Sequence, residues 1–276
     1  MEDKMMKIME RTWQSFLSLV KILLQSKWVE KPLNKSGEKE IVVLGNGPSL
    51  RPLIEQKGEF LKDKALLAVN YAVLSDYYLE LKPRYYVVAD PEFFFNPKHS
   101  NKLFDAMAEK TSWDLELYLS VRARKSTIWQ SKLAANPHIH IHYFNMTPIE
   151  GFRCFSHLAF RKGWGTARPR NVLIPSLMIA LRMSFPTIYV AGADHSWLKE
   201  LWVNEDNIVI EDLNHFYDKK GSERYVSDKH LHDLLLSMHV AFKSYHIIEA
   251  YAQSMGKKIY NVTEGSFIDA FDRKKI

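Results

Sequence analysis

Cysteine is almost absent from this chain: among 276 residues only Cys154 carries a thiol. No intrachain disulfide can form, which excludes a disulfide-stapled secreted module and makes a reducing cytosol the expected compartment. Cys154 is expected to pack rather than to act as a nucleophile. Long apolar runs are lacking at the N-terminus as well. The stretch from Phe16 to Leu24 is interrupted by Lys21 and falls far short of the ~20 residues that cross a bilayer. No small-residue cleavage site follows it, so it does not read as a removable signal. Glycine and proline number 11 each, too few for a collagen-like chain. An Asp-x-Asp pair is missing, and so is any nucleic-acid-binding signature. His140 and His142 lie two apart with no third ligand at a recognisable spacing, so no zinc site is expected.

What is present is an ordinary globular composition, 46% hydrophobic and 25% charged. The length allows one large or two small domains. The formal charge of +6 suits an anionic ligand or an acidic membrane face and does not call for nucleic acid. Residues 1–39 stand apart as an amphipathic helix and polar linker. Met5, Ile8, Met9, Trp13, Phe16, Leu17, Val20, Leu23 and Leu24 recur at helical steps, with Lys4, Lys7, Arg11 and Lys21 largely between them. Such a helix either packs on the body or a second subunit, or lies peripherally on the inner face of the cell membrane through residues 5–28.

Residues 40–276 read as one α/β domain. Ile41–Leu44 is a short β-branched run ending in Gly45-Asn46-Gly47-Pro48-Ser49-Leu50, where a helix begins. Two glycines and a helix start make this turn a candidate phosphate cradle, although the third glycine of the dinucleotide fingerprint is missing. A plain β–α connection has the same appearance. Ala65–Val69 runs into Asn70, Tyr85–Ala89 into Asp90, and Thr187–Ala191 into Gly192-Ala193-Asp194-His195-Ser196. In an open parallel sheet these polar strand ends converge on one rim. Asp90 is either a cap for the segment after Pro91 or a contact to a ribose, a base or a metal. Arg168 and Arg170 are placed to meet a phosphate, and Asn171 to cap the helix over 172–183. Residues 93–142 are poorly legible apart from a strand at 139–144. A long helix spans 228–254, with His230, His232, His239 and His246 on it, and Gly256 is its stop. A last strand over 257–262 and a short terminal helix close the chain.

The order of these motifs resembles the bacterial sialyltransferases of glycosyltransferase family 42, and the related group of 6-hydroxymethylpterin diphosphokinase-like or motility-accessory proteins. The resemblance covers roughly residues 40–272. It implies a Rossmann-like, mostly parallel sheet with helices on both faces, a GT-A-like variant. It also implies that Gly45, Asn46, Gly47, Ser49 and Asn70 hold a CMP-linked sugar. Where the family has a third asparagine this chain has Asp90, and where it has a Thr-Ser pair this chain has Asn171 and Val172. Tyr217 or His215 stands in for the family's phosphate-binding tyrosines, and counting back from the last strand puts the family's histidine base on His239.

The expected activity is inverting transfer of a sugar, sialic-acid-like and CMP-activated, from a nucleotide-sugar to a hydroxyl of a cell-surface glycan, with no metal cofactor. His239, His195 and His215 are the candidate bases. Arg170, Asn171, Asp194, Ser196 and Tyr217 complete the binding set, and a homo-oligomer is compatible with it. Two alternatives stand beside this reading. One is a Mg-ATP-dependent pterin-type diphosphokinase using Asp90, Glu92 and Asp194 on the metal. The other is a non-catalytic scaffold of a polysaccharide- or flagellin-modifying complex.

Overall fold

A computed structural model describes residues 2–213 and 223–276. Eight strands form one sheet: β1 (Glu40–Leu44), β2 (Ala65–Val69), β3 (Tyr85–Val88), β4 (Leu115–Ser120), β5 (Ile139–Phe144), β6 (Thr187–Ala191), β10 (Lys258–Asn261) and β11 (Asp272–Arg273). Their order is β11-β10-β6-β1-β2-β3-β4-β5, and every pairing in it is parallel. β7 (Leu201–Val203), β8 (Val209–Leu213) and β9 (Glu223–Val226) make a separate antiparallel sheet.

Parallel strands are covered on both faces, which is why they read as unbroken apolar runs. Alternate residues of β1 feed two cores. Ile41 and Val43 pack on one side with the helices Leu173–Arg182 and Leu231–Ser254. Val42 and Leu44 pack on the other with Leu50–Lys57 and Pro97–Lys110. The Rossmann-like α/β expectation is met.

Two local expectations are overturned, and the poorly legible segment holds a strand, β4. Its Glu116 is only 1% exposed, yet Lys35 (2.9 Å), Arg84 (3.2 Å) and His142 (2.6 Å) surround the carboxylate. Burial alone pushes the Glu116 pKa up, and hydrogen bonds from Lys35 and His142 more than offset this and hold it below the ordinary value. The expected terminal helix is absent: residues 262–271 form a loop that leads into β11. Cys154 is exposed on the helix Arg153–Lys162 instead of packed.

The N-terminal helix, Glu2–Gln25, is docked through its small polar side. The Ser18 hydroxyl accepts from the Glu150 amide (2.8 Å) and donates to the Glu150 carbonyl (3.0 Å), and Ser15 accepts from the Phe152 amide (3.0 Å). Gly151 makes this approach possible. Its φ is +115°, a conformation L side chains rarely adopt, and a Cβ there would lie 2.1 Å from the Ser15 hydroxyl. No described helix is long and apolar enough to cross a membrane.

Candidate functional site at the carboxyl rim of the sheet

The chain lays down β1 to β5 in one direction and then returns to place β6 on the other side of β1. Ligands of open α/β sheets bind outside the strand ends at such a reversal. Here the two loops at the reversal are tied together. The Gly45 amide donates to the Ala191 carbonyl (2.7 Å) and the Gly47 amide to the Gly192 carbonyl (2.9 Å). The Ser49 hydroxyl donates to Asp194 Oδ2 at 2.8 Å, and its amide reaches the same oxygen at 3.4 Å. A Cβ on Gly45 would stand 2.3 Å from the Gly192 carbonyl oxygen, and one on Gly47 would stand 2.0 Å from Asp194 Oδ2. These glycines therefore serve the close approach of two strand-end loops. The Gly45, Gly47 and Ser49 amides are engaged within the protein, and Asp194 is the partner of Ser49.

Unused hydrogen-bonding capacity lies beside this junction. Asn46 Nδ2 donates to the Val69 carbonyl at 3.2 Å, which orients the amide and leaves its Oδ1 buried without a partner. Asn70 sits in the left-handed region at φ 46°, and its Oδ1 is also buried and unpartnered. Because β1 and β2 are neighbours, two acceptors stand at adjacent strand ends. A buried acceptor lacking a donor costs about 1–3 kcal/mol, and a ligand hydroxyl or amino group removes that cost.

The end of β3 adds a group that sequence reasoning did not single out. Asp90 is exposed, and its Oδ1 accepts from the Glu92 amide at 3.0 Å, as an ordinary cap would. Near it the Tyr71 hydroxyl meets His99 Nδ1 at 2.7 Å, and the Lys102 ammonium lies 4.9 Å from the Tyr71 ring centre. Burial raises the Tyr71 pKa, and the charge of Asp90 raises it further. Only the adjacency of Tyr71 to Asn70 could have drawn attention to this pair.

His195 occupies the loop after β6 at φ 52° and is buried. Its Nε2 is 2.6 Å from the Tyr245 hydroxyl and 3.3 Å from Asn171 Nδ2. Tyr245 also donates to Asn171 Oδ1 (3.1 Å), the oxygen that caps the helix by accepting from the Leu173 and Ile174 amides. Trp197 lies against the imidazole, with ring centres 4.2 Å apart. Burial lowers the His195 pKa to about 3, so the ring is neutral at physiological pH. Its position is maintained from the other side by the loop after β10: the Ala193 amide donates to Thr263 Oγ1 (3.1 Å) and Ser266 donates to the Ala193 carbonyl (2.6 Å). Tyr245, Thr263 and Ser266 carry no local signal in the sequence, since only the packing of the long helix and the pairing of β10 with β6 bring them there.

The remaining candidates are dispersed. Ser196 is half-buried and its carbonyl accepts from the Lys199 amide. Arg170 is exposed. Arg168 pairs with Glu150 at 2.6 Å, and with exposed His239 it lines a groove beside the N-terminal helix. His232 and His246 are exposed on the same long helix, and His230 is exposed just before it. His215 and Tyr217 lie outside the described residues. Among the described residues no group of three or more His, Cys, Asp or Glu side chains could hold a metal ion, so Asp90, Glu92 and Asp194 do not gather into one.

No family model matches the chain, and neither does any curated protein. Its fold is similar to a solved structure. That structure is described as the MAf glycosyltransferase of Magnetospirillum magneticum AMB-1, with a TM-score of 0.51 and 12% sequence identity. The match takes in 98% of this chain and 38% of that one, so the chain spans well under half the length of its neighbour. At this identity the likeness is one of fold.

Proposed function

We propose that the protein is a glycosyltransferase that binds a nucleotide-sugar at the carboxyl rim of its sheet and transfers the sugar to a hydroxyl of a glycan. The observation that carries this reading is the pair of buried, unpartnered acceptors on Asn46 and Asn70. A nucleoside brings the donors they lack, either ribose hydroxyls or an exocyclic amino group, and cytidine offers both. The fold shared with a MAf glycosyltransferase supports glycosyl transfer as the reaction class, and the family 42 resemblance favours a CMP-linked, sialic-acid-like donor. In an inverting reaction a base takes the acceptor proton while the anomeric carbon is attacked from the face opposite the leaving phosphate. Imidazole suits that task when its pKa lies near the working pH. His195, held neutral well below that range, serves better to position Asn171 and Tyr245 than to take the proton. His99 joins His215 and His239 as a candidate base, because Tyr71 orients its ring at the rim.

Calorimetric titration with CMP, UDP and GDP tests the reading, followed by mass spectrometry of glycan acceptors incubated with nucleotide-sugars. CMP is expected to bind, Asn46→Ala and Asn70→Ala to weaken it, and a mass increment of one sugar to appear on the acceptor. Failure of all three nucleotides to bind the full chain would refute the assignment.

A further inference from the structure

The N-terminal helix presents its apolar side to solvent. Met9 is 65% exposed, Trp13 60%, Phe16 53%, Leu23 75% and Leu24 73%, and Trp28 just beyond the helix is 79% exposed. At about 100° per residue these positions fall on the side of the helix turned away from the docked serines. An apolar patch on a soluble surface normally marks an interaction site. This one extends to Leu236, itself 57% exposed, which shares a groove with Leu17.

The flank of the same helix is positively charged. Two adjoining grooves of about 440 and 370 Å³ run between it and the helix Leu231–Ser254. They are lined by Lys7, Arg11, Lys21, Arg153, Arg168 and Lys243 against two acids, Glu10 and Glu150. Lys7 and Arg11 lie on the serine side of the helix, whereas Lys21 and Lys243 share the second groove with Leu17 and Leu236, and Arg168 there is paired with Glu150, which leaves a cationic excess at the edge of the apolar side. From this we infer that the helix lies in the surface of an anionic bilayer. Its apolar side sits at the boundary of headgroups and acyl chains, with the two tryptophans at headgroup level and the flanking cations against lipid phosphates. Charge complementarity selects this occupant over a second copy of the chain. Two copies packed face to face through this side would bring like-charged grooves together, whereas an anionic surface neutralises them. The docked serines keep the helix on the protein body, so the body is held against the membrane by a fixed element.

The test is flotation of the full chain with vesicles of phosphatidylcholine alone and of phosphatidylcholine mixed with phosphatidylglycerol, at low and high salt, alongside sedimentation velocity without lipid. Binding is expected to the mixed vesicles, about ten-fold or more above the neutral ones, and to fall as salt rises. Phe16→Glu with Leu23→Glu should abolish it while the melting temperature is unchanged, because both side chains are exposed. Lys243→Glu should weaken it with the same control. Equal binding to both vesicle types, or binding to neither, overturns the inference. So does a dimer in solution that Phe16→Glu dissociates without any vesicle binding, which would identify a second copy as the occupant. Nucleotide titration of the Phe16→Glu, Leu23→Glu variant reads the rim separately, so failure of one assignment is distinguishable from failure of the other.

Discussion

The carboxyl rim of the sheet and the N-terminal helix are incomplete in opposite senses. At the rim the strands beneath are fully packed, yet polar pairing is incomplete: the buried acceptors of Asn46 and Asn70 lack donors. On the helix, polar pairing is complete at the docked serines, while a broad apolar side remains uncovered. Each deficit names the chemistry that would satisfy it. Missing donors call for a hydroxyl- or amine-bearing small molecule, and missing apolar cover beside cations calls for an anionic lipid surface. A third arrangement, the Gly45–Gly192 backbone junction, holds the rim together. The Gly45 and Gly47 amides join two loops, and both glycines are needed for that close approach.

The sharpest way to break this contrast is Gly47→Val. A side chain there meets Asp194 and the Gly192 carbonyl, so a loss of about 3 kcal/mol or more is expected in denaturant unfolding, with nucleotide binding lost as a consequence. Equal stability with weakened binding would instead return the turn to the ligand. The next effect is a pH dependence. The folded pKa of His195 lies near 3, below the ~6.5 of an unfolded chain, so the unfolded state binds the extra proton between these values. Its contribution to stability is therefore present above about pH 6.5 and lost as pH falls toward 3, on the order of 5 kcal/mol at full extent. His195→Gln should lower stability at neutral pH and flatten that acid limb in a pH series of melting curves. A smaller effect belongs to the asparagines: Asn46→Ala or Asn70→Ala should reduce nucleotide affinity about 5–10-fold, the worth of one hydrogen bond, with little change in melting temperature. The smallest is Phe16→Glu, which should alter stability by no more than ~0.5 kcal/mol in chemical denaturation. A large loss there would mean that the helix's outer side is covered within the chain.

Legibility from the sequence followed how local the cause of each feature was. The runs at β1, β2, β3 and β6 were readable because a strand buried on both faces must be apolar throughout, and their polar ends marked the rim. Asn171 as a helix cap and Gly256 as a helix stop were equally local, and both are found: Asn171 accepts from two helix amides, and Gly256 has φ +68°. β4 was not legible, since Glu116 inside it is tolerable only with Lys35, Arg84 and His142 gathered from distant parts of the chain. At the turn after β1, glycine spacing reports a close approach and is silent on what approaches: the loop after β6 does so here.

Hydrophobic period, strand-end polarity and helix signals, which act over a few residues, determined the α/β class, the element order and the set of polar tips at one edge. Which of those tips retain a free acceptor, which are engaged with each other, and which side of the first helix faces outward were decided only in three dimensions. The reason is physical: a hydrogen bond or a buried surface belongs to two partners, and the second partner here comes from tens to more than a hundred residues away, as with Asn46 and Val69 or Ser18 and Glu150.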